Sequence, residues 1–223
     1  LIKEAIIEKA NIKLIVICEE CLVDGTIDKN LLYEIAKYEC IYVTDKIFAS
    51  ITQVTNPQGI MAIIEKNDVD TSIDYTQDII VALDDVQDPG NLGTIIRSAV
   101  AFHIDTLILS NDTVDVYNDK VIRASEGMIF NLNIIRADLM NIIKELKKKN
   151  YQVYGTDVLN GLDLNEIIFP EKTAIIIGNE GRGMKETIKK ECDQLIHIKI
   201  NCESLNAGVA ASIIFYEVSK NGY

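Results

Sequence analysis

No apolar run in this sequence approaches the roughly 18 residues that a bilayer-spanning helix needs. Nor does a signal peptide open it, since Leu1-Ile2-Lys3-Glu4 leads straight into an amphipathic pattern. A soluble, cytoplasmic protein with no membrane partner is therefore expected. The chain opens on Leu1 rather than Met, so N-terminal residues are expected to be missing. Proline is scarce, at 3 of 223 residues, and 48% of residues are hydrophobic against 25% charged, which excludes an intrinsically disordered chain. Cysteine is neither abundant nor paired in pattern: Cys18, Cys21, Cys40, Cys192 and Cys202 are odd in number and irregularly spaced. Cys18-Glu19-Glu20-Cys21 imitates half of a zinc site with no second pair or nearby His, so reduced thiols are expected and no metal. His103 and His197 read as structural rather than as ligands or bases. Arginine is confined to positions 97, 123, 136 and 182, against 18 Lys.

The sequence also lacks a basic footprint. The net charge is −12, spread evenly between residues 1–77 and 78–223, and Lys147-Lys148-Lys149 is the only sizeable basic run. Nucleic-acid binders depend on phosphate contacts, so any RNA contact must come from local clusters or from docking to a larger complex.

What is present is an alternation of strand and helix signals. Residues 1–66 contain short apolar runs at Leu14–Ile17, Ile41–Val43 and Gly59–Ile64, and a helical pattern over Asp28–Tyr38 with Leu31, Leu32 and Ile35 inward. The acidic, polar residues 67–77 read as a linker, separating residues 1–66 from residues 78–223. In the second part, Ile79–Leu83, Thr106–Leu109, Tyr151–Tyr154, Ala174–Ile177 and Leu195–Ile200 are strand runs. Helical faces alternate with them, one capped by Asp138 and a last one over Ser204–Val218. This order predicts an α/β domain with a mainly parallel sheet covered on both faces.

Four segments carry chemistry, because ligands in such sheets bind beyond the carboxyl ends of the strands. Asp88-Pro89-Gly90-Asn91 turns into a helix that carries Arg97 away from its apolar stripe; alone, it reads equally as a capped helix with a solvent-facing Arg. Arg123-Ala124-Ser125-Glu126-Gly127 reads alone as a surface connection. Ile177-Gly178-Asn179-Glu180-Gly181-Arg182-Gly183 is a strand running into a glycine-rich turn, where a ligand can approach the backbone. The fourth, Ile198 to Ser212, ends on a helix with small residues at Ala207, Gly208, Ala211 and Ser212, suited to close packing against another element. Neither a G-x-G-x-x-G after Leu83 nor a G-x-x-x-x-G-K-[ST] is present, which argues against a dinucleotide-dependent oxidoreductase and against a phosphate-cradling loop.

Taken together, in this order, the segments resemble the SpoU-type RNA ribose 2'-O-methyltransferases of the SPOUT superfamily. Asn91, Gly93 and Arg97 match that family's N-x-G-x-x-x-R motif. Gly178, Glu180 and Gly183 match its G-x-E-x-x-G, and Ser204-Leu205-Asn206 its S-L-N. The resemblance spans residues 78–219. Residues 1–66, ending in Asn56-Pro57-Gln58-Gly59 and an apolar strand, more loosely resemble the small α/β, kink-turn-binder-like domain that precedes it in many members. The chain departs from the family at Lys199, where Pro is usual, and in a shortened 198–204 loop.

The resemblance implies a SPOUT-type α/β fold with a C-terminal trefoil knot, a homodimer whose interface includes the last helix, and S-adenosylmethionine as cofactor without metal. It implies cofactor contacts at Thr156, Gly178, Asn179, Glu180, Gly183, Ile198, Leu205 and Asn206. Asn91, Arg97, Glu180, Ser204 and Asn206 are the implied catalytic set, with Arg97, Arg123 and Arg182 facing RNA. Ribosomal RNA is the first expected substrate and transfer RNA the second. A non-catalytic RNA-binding protein on the same fold stays open as an alternative.

Overall fold

The computed structural model describes residues 1–66, 72–201 and 203–220, arranged as two units, Leu1–Asp68 and Val69–Tyr223. Cys202 and residues 67–71 of the expected linker lie outside the described residues. Residues 72–77 belong to the second unit. The Tyr75 hydroxyl donates to Glu145 at 2.7 Å, Lys172 Nζ donates to the Tyr75 carbonyl at 3.0 Å, and the Tyr151 hydroxyl donates to the Gln77 carbonyl.

The first unit runs α1 (Ile2–Ile7), β1 (Ile12–Cys18), α2 (Glu19–Val23), α3 (Lys29–Ile35), β2 (Cys40–Val43), α4 (Asp45–Ile51) and β3 (Ile60–Ile64). Its sheet has the order β2-β1-β3, with β1 parallel to β2 and antiparallel to β3. Asp28 caps α3 by accepting the Asn30 amide, and the helix ends at Ile35, short of the expected Tyr38. Cys18 is buried and Cys21 packs beside it, and neither is in a disulfide.

The second unit runs β4 (Ile79–Leu83), α5 (Pro89–Ala101), β5 (Thr106–Leu109), α6 (Asp119–Ala124), β6 (Asn133–Arg136), α7 (Leu139–Lys148), β7 (Gln152–Thr156), β8 (Leu162–Asp163), β9 (Thr173–Ile177), α8 (Glu186–Glu191), β10 (Gln194–His197) and α9 (Ala207–Ser219). The sheet has the order β6-β5-β4-β9-β7-β10-β8, every pair parallel. The period of two sorts its side chains. Val81, Leu83, Ile175 and Ile177 face a core built with Leu92, Ile95 and Ile96 of α5 and Ile214 and Phe215 of α9. Ile80, Ala82 and Ile176 face the other core, against Leu139, Ile142, Ile143 and Leu146 of α7. Burial on both faces is why these strands read as continuous apolar runs rather than as alternations.

Helix ends follow local chemistry. Asp88 caps α5 by accepting the Asn91 amide, with Pro89 in the first turn where no amide is needed. Asp138 caps α7 in the same way, and Asn206 caps α9. The last helix therefore begins three residues later than its sequence pattern suggests. The connection around Arg123 is in fact the helix α6, and the last strand stops at His197, leaving residues 198–201 and 203–206 outside helix and strand.

One crossing is decided by topology alone. β10 lies between β7 and β8, so the connection from Thr156 to Leu162 must pass over β10. It does so at Gly161, whose φ is +122°; a Cβ there would lie 2.4 Å from the Leu195 carbonyl oxygen and 2.8 Å from the Ile196 nitrogen. Only glycine allows both that φ and that approach.

No helix among the described residues is long and apolar enough to cross a membrane.

Candidate active site

The loops leaving β4, β9, β7 and β10 sit side by side at the carboxyl edge of the sheet, because those strands are neighbours in it. Between the loops leaving β9, β7 and β10 is a cavity of about 420 Å³. Ile177, Ile196 and Ile214 give it an apolar base, and residues 157–159, 178–183, Ile198, Ile200 and 203–205 wall it. Its volume and mixed lining fit a nucleoside-sized ligand with a polar end.

Three motif residues join behind this cavity. Asn206 Nδ2 donates to Asn91 Oδ1 at 2.6 Å, and Asn91 Nδ2 donates to Glu180 Oε1 at 3.0 Å. Glu180 also accepts the Gln87 and Asp88 amides, at 3.3 and 3.2 Å, so its carboxylate ties the turn after β9 to the first turn of α5. Asn206 Oδ1 meanwhile caps α9 through the Val209 amide. Asn91 is buried, with both ends of its amide used, as a buried polar group requires.

The turn after β9 holds its own shape. Asn179 and Gly183 exchange backbone hydrogen bonds, and Asn179 Oδ1 accepts the Gly181 and Arg182 amides at 2.9 and 3.0 Å. Asn179 Nδ2 donates to the Asp85 carbonyl at 2.8 Å. A Cβ at Gly178 would lie 2.3 Å from the Met184 nitrogen and 2.5 Å from the Gly183 carbonyl carbon. The glycine requirement there comes from the turn's own backbone, before any ligand is considered. Gly183, with φ +66° and open space at its Cβ position, is constrained by conformation alone.

Charge is arranged around the cavity in pairs. Lys189 Nζ lies 2.7 Å from Asp157, both side chains largely buried. Asp157 also accepts the Leu159 and Asn160 amides, which fixes the loop that crosses β10. Burial pushes the Asp157 carboxyl up, but the hydrogen bond from Lys189 and the two amides outweigh it and hold it below the usual carboxylate range. The hydrogen bond to Asp157 raises the Lys189 ammonium against its own burial. Beyond the turn after β9, Arg182 pairs with Asp85 at 2.5 Å and Lys185 with Asp112 at 2.5 Å, while the buried Asp84 accepts the Lys185 amide at 2.7 Å. The Asp112 hydrogen bond raises the Lys185 ammonium, and Lys185 in turn lowers the Asp112 carboxyl.

Of the expected cofactor residues, Thr156, Gly178, Asn179, Glu180, Gly183, Ile198 and Leu205 line the cavity, whereas Asn206 turns its amide to Asn91 behind it. Ser204 and Arg182 also line it. Arg97 and Arg123 do not. Arg97 lies on the α6 side of α5, with Nη1 2.9 Å from Glu126, and Arg123 pairs with Asp119 at 2.7 Å. Arg136, the fourth arginine, is spent on structure: it donates to the carbonyls of Ser110, Asn111, Thr113 and Val114.

Two expectations change. The small residues of the last helix pack inside the chain: a Cβ at Gly208 would lie 2.9 Å from Thr94 Cβ, and Ser212 meets Ser98 at 2.6 Å, both on α5. They account for the α5–α9 crossing and so give no sign of a second subunit. His197, read as structural, lies on the cavity wall, and its Nδ1 is buried without a hydrogen-bond partner among the described residues. Sequence reasoning also missed Asp157, Lys189 and Asp84. Two acids directly after the buried run Ile79–Leu83 were the available signal for Asp84; nothing local marks the other two.

The sequence profile of the SpoU rRNA Methylase family matches residues 78–216. The chain is 31% identical over 220 residues to the Bacillus subtilis 23S rRNA (guanosine(2553)-2'-O)-methyltransferase RlmP, covering 98% of this chain and 85% of that protein. Its structure resembles the AdoMet-bound rRNA methyltransferase from Sinorhizobium meliloti, with a TM-score of 0.84 and 27% identity over 99% of this chain and 84% of that one. It also shares the fold of the SpoU methyltransferase AviRb from Streptomyces viridochromogenes in complex with AdoMet, at a TM-score of 0.85 and 24% identity, covering 99% of this chain and 87% of that one.

Proposed function

The chain belongs to the SpoU rRNA methylase family, and from that membership we propose that it methylates a ribose 2'-hydroxyl of ribosomal RNA, with S-adenosylmethionine as methyl donor. The observation that carries this reading is the hydrogen-bonded chain Asn206–Asn91–Glu180, which joins the three family motifs across 115 residues of sequence, directly behind a cavity that two of them line. That cavity suits the cofactor on its own terms: its apolar base accepts a nucleoside, and its rim carries both signs of charge.

When bound there, S-adenosylmethionine supplies an electrophilic sulfonium methyl. The residues proposed to hold it are Thr156, Gly178, Gly183, Ile198 and Leu205, through the loop backbones. A ribose hydroxyl is a weak nucleophile at neutral pH, so the protein must orient it and stabilise the charge it develops. Arg97 is the proposed stabiliser, since a guanidinium that is always protonated serves better as a fixed positive group than as a base. The Asn206–Asn91–Glu180 chain supports a positioning role for those residues: it locks the start of α5, the helix that carries Arg97, to the cavity loops. Ser204 stands at the mouth as a candidate contact for the incoming ribose, and Arg182 and Arg123 as candidate phosphate contacts.

We propose further that the protein is a homodimer. Arg97 lies outside the cavity lining of its own chain, and α9 leaves Val209 and, beside Phe102 at the end of α5, Tyr216 exposed. The trefoil knot has support in the crossing at Gly161. The first unit is proposed to bind the RNA substrate.

The test is single-turnover methyl transfer from labelled S-adenosylmethionine to ribosomal and transfer RNA fragments, with 2'-O-methyl mapping in cells lacking the protein. Transfer confined to ribosomal RNA is expected. Cofactor binding with no transfer to any RNA would leave only an RNA-binding role. Sedimentation at micromolar concentration is expected to give a dimer, and a monomer would refute that part.

A further inference from the structure

The segment Ala124–Gly127 does something its position in the fold explains. α6 presses against α5 at Gly93, where a Cβ would lie 2.3 Å from Ala124 Cβ and 2.9 Å from the Ser125 nitrogen. Arg97 is one turn further along the same face of α5, because residues four apart lie above one another on a helix. The chain leaving α6 therefore reverses directly beside Arg97, and the residue at the reversal is Glu126.

That reversal uses two successive left-handed residues, Glu126 at φ +51° and Gly127 at φ +93°. A glycine or asparagine takes the first position at little cost, whereas another L-residue there is strained. The conformation aims the Glu126 carboxylate at α5, and its Oε1 meets Arg97 Nη1 at 2.9 Å. The ion pair engages Nη1 and leaves Nη2 and Nε for other partners. Both side chains are at least half exposed, and exposed pairs of this kind contribute little to stability. The cost of the left-handed glutamate is thus not offset by folding energy from the pair.

We propose that Glu126 is a positioning residue for Arg97: its carboxylate holds one nitrogen of the guanidinium and so fixes the direction in which the remaining donors meet the RNA. The proposal rests on Arg97 acting in methyl transfer. Glu126 itself touches neither cofactor nor substrate in this role. Its neighbour Ser125 is buried and held through the Ile122 carbonyl, so the reversal is rigid and the carboxylate has a fixed origin.

The experiment is a double-mutant cycle on the full chain, read as single-turnover rate at saturating RNA together with affinity for S-adenosylhomocysteine. Glu126→Ala is expected to lower the rate about tenfold, the scale of a misoriented but present group, with cofactor affinity and melting temperature unchanged. Glu126→Gln keeps an acceptor at the same place and is expected to restore most of the rate. In an Arg97→Ala background, whose residual rate is followed over hours, Glu126→Ala is expected to have no further effect. The proposal is overturned if Glu126→Ala runs at the wild-type rate, or if it slows the Arg97→Ala enzyme by the same factor as the wild type. If Arg97→Ala itself runs at the wild-type rate, the role given to Arg97 fails first and the proposal falls with it.

Discussion

Replacing Gly161 by Ala tests the crossing of β10 most directly. Two costs are legible in the structure. The φ of +122° lies outside every region that an L-residue occupies easily, which costs about 1–3 kcal/mol. The new Cβ would also lie 2.4 Å from the Leu195 carbonyl oxygen. That oxygen belongs to a strand paired on both sides, with β7 and with β8, so it cannot withdraw without breaking a ladder; overpacking of this kind costs about 1–3 kcal/mol more. The sum is about 2–6 kcal/mol. Gly183→Ala is the control, since Gly183 has φ +66° and nothing within 4 Å of its Cβ position. Only the left-handed conformation is penalised there, at about 1–2 kcal/mol. For a unit of this size 1 kcal/mol lowers the melting temperature by about 2–4 °C. Calorimetry on the two variants should therefore place Gly161→Ala well below Gly183→Ala, with S-adenosylhomocysteine affinity also reduced because the crossing loop walls the cavity. A Gly161→Ala melting temperature equal to that of Gly183→Ala would show that the loop does not cross β10 at contact distance.

Arg97→Lys keeps the charge but loses the planar fork, and is expected to lose most methyl transfer while binding the cofactor normally; a wild-type single-turnover rate would contradict this. Arg123→Ala and Arg182→Ala should weaken RNA binding and reduce its salt slope by roughly one unit for each phosphate no longer neutralised, so unchanged slopes would remove both from the RNA surface. Gly178→Val should lower the melting temperature as well as cofactor affinity, since its Cβ meets the Met184 nitrogen; lost affinity at full stability would return the constraint to the ligand. The Asp157–Lys189 pair joins a lowered carboxyl to a raised ammonium. Its contribution is complete above the unfolded carboxyl value of about 3.9 and below the unfolded lysine value of about 10.4. It fades as pH falls through the lowered Asp157 value or rises through the raised Lys189 value. The melting-temperature gap between wild type and Asp157→Asn should thus stay constant from about pH 5 to 9 and close below about pH 4. A gap that changes within the constant range would mean another group controls the loop.

The sequence by itself determined what neighbouring residues decide. Continuous apolar runs such as Ile79–Leu83 specify strands buried on both faces, and Asp88 and Asp138 specify where helices begin. The order and spacing of the three motif segments together, Asn91 to Arg97, Gly178 to Gly183 and Ser204 to Asn206, were enough to indicate the family. The tertiary structure alone decided which residues meet across long separations. Asn91 is 89 residues from Glu180 and 115 from Asn206, so their hydrogen-bonded chain leaves no local trace. Gly161, Asp157 and Lys189 depend on β10 entering between β7 and β8, a matter of strand order that local propensity does not encode. The small residues of α9 were legible as a close-packing surface, but composition does not say whether the partner is another chain or α5. Likewise Glu126 reads as an ordinary surface charge until the missing Cβ of Gly93 brings α6 close enough to set it beside Arg97.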